Sequence, residues 1–110
     1  MLTINKNDID ELRELKEEDF EDLIESFIED IQIKVSQIKE FVKNKDGVNL
    51  HQKSHSLKGA SKNIGAEKMA TLCSILEQAG KKNTHSNTVQ ISNELDEEAK
   101  KVITILKNIN

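Results

Sequence analysis

The sequence predicts an all-α fold, an antiparallel four-helix bundle with a short N-terminal helix in front. Two observations carry this. The 110 residues include no Pro and only four Gly, so little interrupts a helix. Leu, Ile, Val and Phe recur three and four residues apart over four long segments, the spacing that gathers apolar side chains on one helical face. Hydrophobic residues are only 35% of the chain, but their regular recurrence argues against a disordered polymer. The length suits one domain covering residues 1–110, with no repeat and no low-complexity segment.

Asp8 is placed to cap the short first helix, which carries Ile9, Leu12 and Leu15. A long helix is expected from near Glu17 to near Lys43, with Phe20, Leu23, Ile24, Phe27, Ile28, Ile31, Val35, Ile38, Phe41 and Val42 on one stripe. Ile33 points away from that stripe. Asn44-Lys45-Asp46-Gly47 reads as a turn. The next helix runs from about Val48 to Ile64, with Leu50, Ser54, Leu57, Ser61 and Ile64 inward, and Gly65 is its stop signal. The following helix turns Met69, Leu72, Ile75, Leu76 and Ala79 inward and has Gly80 near its end. After the polar stretch 81–87, a last helix carries Ile91, Leu95, Ala99, Val102, Ile103, Leu106 and Ile109.

Composition narrows the function. The formal net charge is -4 and the only aromatics are three Phe, which argues against a nucleic-acid surface or a base-stacking platform. No apolar run approaches the ~20 residues of a membrane span. The first residues have no apolar core of a secretory signal, so a cytoplasmic address is expected. One cysteine, Cys73, excludes an internal disulfide and a thiolate zinc cluster, and it reads as a small core residue. The charge is unevenly spread. Thirteen acids stand against Arg13, Lys16, Lys34 and Lys39 between Asp8 and Glu40, whereas Lys43 to Lys68 holds six lysines against Asp46 and Glu67. A lysine-rich stretch is most often a solvated face, and its neighbours here decide otherwise.

Opposite Leu50, Leu57 and Ile64, the same helix carries His51, His55, Lys58 and Lys62, with Gly59 beside them and no acid. A glycine inside a helix costs about 1 kcal/mol relative to alanine, and close approach by another molecule is one reason to keep it. An imidazole with ammonium groups one turn away suits a phosphoryl group: the ring nitrogen attacks, and the ammonium groups offset the arriving charge. A lone surface histidine would carry no such meaning. His55 stands within Ser54-His55-Ser56-Leu57-Lys58-Gly59-Ala60-Ser61-Lys62-Asn63-Ile64-Gly65-Ala66.

That string resembles the signature of histidine-containing phosphotransfer (HPt) domains, His-x-Leu-Lys-Gly-x-Ser followed by a Gly-Ala turn and a Leu-rich helix. It agrees at His55, Leu57, Lys58, Gly59, Ser61, Gly65 and Ala66, seven positions in thirteen. The likeness extends over nearly the whole chain, from an acidic Phe-rich helix before the motif to a long helix after it. Ser54 departs from the Ala that many members carry. The resemblance implies a four-helix bundle in a multistep phosphorelay. It implies partners that are response-regulator receiver domains and a hybrid sensor kinase, and a carrier with no kinase activity of its own. It assigns His55 as phosphoacceptor, Lys58 to the phosphoryl oxygens, Gly59 to the space a receiver needs, and Ser61 to close helix packing. No cofactor is expected on this chain; Mg²⁺ belongs to the receiver. A monomer is expected.

Helix geometry adds Glu77. Folding back at Gly65-Ala66 puts His55 and Glu77 both roughly 16 Å from the turn, within reach of one another. Glu77 is thus placed to hold one ring nitrogen and leave the other free, although a solvated glutamate is the plainer reading. Lys62 shares the His55 face in support, and Ile33, His51 and Gln52 are candidate docking residues. His51 and His55 have the i, i+4 spacing of metal-binding histidines, but the Glu of the zinc-protease motif is missing and lysines disfavour a cation, so no metal site is expected. His85 falls in a polar loop. Two other readings stay open: a bundle that binds a receiver or kinase without being phosphorylated, and a metal-binding bundle using His51, His55 and Glu77.

Overall fold

The structure, a computed structural model, describes Ile4, Ile9 and residues 17–109. Its helices are α1 (Glu17–Lys43), α2 (Gly47–Asn63), α3 (Glu67–Lys82) and α4 (Thr88–Lys107), and no strand occurs among the described residues. Asp8, Leu12 and Leu15 of the expected N-terminal helix lie outside them. Ile9 is helical and buried with Ile4 in the core.

Short connections force neighbouring helices to run antiparallel. α2 packs on α1 and α3, and α4 closes the ring against α3 and α1. Ile31, Ile38, Leu50, Leu57, Ile64, Met69, Leu76, Leu95 and Val102 fill the centre with no exposed surface. Burying each such side chain contributes roughly 1.5–3 kcal/mol, before the cost of ordering the chain. Lys39 on α1 reaches Asp96 on α4 at 3.0 Å across the closing seam.

The connections hold the site helix in place. Asp46 caps α2, accepting from the Asn49 backbone N–H at 3.2 Å and from its side-chain amide at 2.7 Å. At the other end Gly65 takes φ 68°. The Gly65 N–H donates to the Lys62 carbonyl at 3.1 Å and the Ala66 N–H to the Ser61 carbonyl at 2.8 Å, a Schellman pair that ends α2 and turns the chain into α3.

α3 differs from the sequence expectation. Its buried line runs through Met69, Cys73, Leu76 and Gly80, while Ile75, expected inward, is 46% exposed. At 100° per residue Ile75 lies roughly 130° round the helix from that line. The rotation follows from close approach to α2. A Cβ on Gly80 would stand 2.6 Å from both the Gly47 carbonyl oxygen and the His51 backbone nitrogen, too near for any side chain. With the backbones in contact there, α3 turns Cys73 and Glu77 toward α2.

Candidate functional site

The site lies midway along the α2–α3 seam. The α2 periodicity that buries Leu50, Ser54, Leu57 and Ser61 leaves His55, Gly59 and Lys62 in solvent and sets His51 and Lys58 on the flank facing α3. Glu77 on α3 is buried, its side chain 7% exposed. Two groups converge on its carboxylate. His55 Nδ1 lies 2.9 Å from Oε1, and the Lys58 ammonium lies 2.8 Å from Oε1 and 3.1 Å from Oε2.

This arrangement answers the electrostatic problem of a buried acid. Burial pushes the Glu77 carboxyl up, but the hydrogen bonds from Lys58 and then His55, with their charges, outweigh it and hold the group below its ordinary value. A carboxylate only accepts, so His55 carries its proton on Nδ1. In the neutral ring Nε2 then keeps its lone pair. It has no partner among the described residues, on a side chain 69% exposed.

The other expected site residues fall around this pair. A Cβ on Gly59 would meet nothing among the described residues within 4 Å, so packing against them does not require a glycine there. Lys62 is exposed, and its ammonium has no partner among the described residues. Ser61 is buried and donates to the Leu57 carbonyl at 2.7 Å. His51 is half-buried, with Nδ1 3.1 Å from the Glu77 carbonyl oxygen, and Gln52 is exposed beside it. Ile33, 50% exposed, stands on α1 and not on either helix of the cluster. Among the described residues, no three His, Cys, Asp or Glu side chains group to hold a metal ion. No helix among them is long and apolar enough to cross a membrane.

Sequence reasoning missed two features of the site. Lys58, assigned by resemblance to the phosphoryl oxygens, rests on Glu77 in this state. Cys73 borders the same network: burial, with the Glu77 charge next, pushes its thiol up to about 12. The signal for both was the rotation of α3, which no single position in the sequence records.

The family model for the Hpt domain matches residues 22–104. The chain belongs to the Hpt domain family. A crystal structure of histidine-containing phosphotransfer protein B from Pseudomonas aeruginosa PAO1 has the same fold, with a TM-score of 0.90 at 22% identity over 96% of this chain and 92% of that one. No curated protein sequence matches the chain. Hpt domains serve histidine phosphotransfer in phosphorelays and are phosphocarriers rather than kinases. The four-helix bundle described above is thus an Hpt bundle, and the His55–Glu77–Lys58 cluster lies within its matched region.

Proposed function

We propose that His55 is the phosphoacceptor of a multistep two-component phosphorelay, taking a phosphoryl group from a receiver-domain aspartyl phosphate and passing it to another receiver. One of the two receivers belongs to a hybrid sensor kinase. The observation that carries this is the tie between His55 Nδ1 and Glu77, on a ring otherwise open to solvent. The Nε2 lone pair attacks phosphorus, the bond from phosphorus to the aspartyl oxygen breaks, and the aspartate leaves as carboxylate. The ring gains positive charge while its Nδ1 proton stays in the bond to Glu77, so the carboxylate stabilises the charge that develops. Return transfer runs the same step backwards.

Lys58 supports the step from one turn away. Its flexible stem allows the ammonium to turn from Glu77 to an arriving phosphoryl oxygen. Lys62 adds positive charge at longer range, and the open space over Gly59 admits the receiver. Ile33, His51 and Gln52 extend the docking surface. Mg²⁺ is supplied by the receiver. The chain acts as a monomer and does not phosphorylate itself from ATP, having no Gly-rich phosphate loop in its sequence. Incubation with a panel of phosphorylated receivers from the same organism tests the reading. Phosphate on the protein that is acid-labile and alkali-stable supports it, and no transfer from any receiver overturns it.

A further inference from the structure

We infer that His51 is a positioning residue for the His55 site, acting through the peptide of Glu77. The inference deepens the phosphocarrier reading of His55 and rests on it. A carbonyl oxygen can only accept, so the 3.1 Å contact between His51 Nδ1 and the Glu77 carbonyl oxygen fixes a proton on Nδ1 of His51. His51 and His55 are one turn apart on α2, and each gives its Nδ1–H to residue 77, one to the main chain and the other to the carboxylate. Residue 77 is therefore gripped at both ends from a single helix face.

The grip is local to the reacting ring. The Glu77 carboxylate has to meet His55 and Lys58 at once, from a helix whose backbone closely approaches that of α2 at Gly80. The His51 bond, made to the main chain of residue 77 itself, fixes where along α2 that carboxylate sits. The Glu77 carbonyl, within α3, does not depend on His51 for a partner, so the bond sets position and leaves the helix itself complete.

The test compares three substitutions by the ¹⁵N shifts of the His55 ring, which report where its proton sits. His51→Phe keeps a ring but removes the donor, and His51→Gln moves the donor one bond further out. His51→Asn keeps an N–H where Nδ1 stands. His51→Phe and His51→Gln are expected to lower the ratio of Nδ1–H to Nε2–H tautomer in His55 roughly fivefold, the factor one such hydrogen bond carries. His51→Asn restores it. Transfer at saturating receiver falls with the fraction of His55 in the Nδ1–H form. A wild-type ratio in both His51→Phe and His51→Gln overturns the inference. A change in the apparent affinity for the receiver without a change in the ratio also overturns it, and makes His51 a contact residue only. The ring shifts are read without a receiver, so they stand apart from whether His55 is phosphorylated.

Discussion

The Glu77 carboxylate fixes the tautomer of His55: Oε1 lies 2.9 Å from Nδ1, and the proton between them leaves Nε2 as the nucleophilic nitrogen. Glu77→Gln puts an amide in its place, which presents either oxygen or N–H to the ring, and leaves the Lys58 ammonium without a counter-charge. The expected outcome is a folded protein, less stable by roughly 1–3 kcal/mol, with slower transfer and a larger share of Nε2–H tautomer. Nitrogen-15 shifts of His55 check it; an unchanged tautomer ratio would show that Glu77 does not orient the ring.

Acid sensitivity has a defined sign. The Glu77 carboxyl titrates below its ordinary 4.5 in the fold, because the bonds from Lys58 and His55 outweigh burial. Ionised Glu77 therefore stabilises the fold above the unfolded value, and the contribution is lost as pH falls through the lower folded value. Urea unfolding of wild type and Glu77→Gln at about pH 7 and about pH 3 measures this as a stability gap that shrinks with acid. A gap of the same size at both pH values contradicts it.

Two of the helical glycines, Gly59 and Gly80, respond oppositely to substitution. Nothing among the described residues lies within 4 Å of a Cβ on Gly59, so Gly59→Ala should raise stability by up to about 1 kcal/mol. Gly59→Gln should fold equally well and transfer slowly, because its side chain enters the space over His55. A Cβ on Gly80 would lie 2.6 Å from backbone atoms of Gly47 and His51. Gly80→Ala forces the helices apart, at a cost of roughly 1–3 kcal/mol. Melting curves with transfer rates decide both; a fully active Gly59→Gln places the receiver's approach elsewhere.

Much of the fold was legible in the chain because apolar spacing and turn residues act locally. The stripe from Phe20 to Val42 marks a helix that spans Glu17–Lys43, and Gly65 ends α2 in the left-handed conformation a glycine allows. The level of Glu77 opposite His55 followed from rise per residue alone. Its burial did not, nor did the exposure of Ile75. Both depend on how α3 rotates about its axis, and that is set by the contact of Gly80 with Gly47 and His51, a pairing between distant residues.

Ser54 is fully buried and its hydroxyl has no hydrogen-bond partner among the described residues. Removing an unpaired buried hydroxyl from a helix relieves its desolvation and improves helix propensity. Ser54→Ala should therefore stabilise the protein by about 1 kcal/mol and leave transfer unchanged. A lower melting temperature would mean that the hydroxyl has a partner in solution.

Lys58 and Lys62 share the His55 face but differ in engagement. The Lys58 ammonium is tied to Glu77, while that of Lys62 is exposed without a partner among the described residues. Lys58→Ala should slow transfer about tenfold or more, the range of one charge-assisted contact, and Lys62→Ala only slightly. Equal rates for Lys58→Ala and wild type would make the ammonium incidental.

The most direct measurement is phosphate incorporation in three single variants, His51→Gln, His55→Gln and His85→Gln, each incubated with the same phosphorylated receiver. Label should be absent from His55→Gln alone, and in the other two it should be acid-labile and alkali-stable. Label retained in a folded His55→Gln would contradict His55 as the phosphoacceptor.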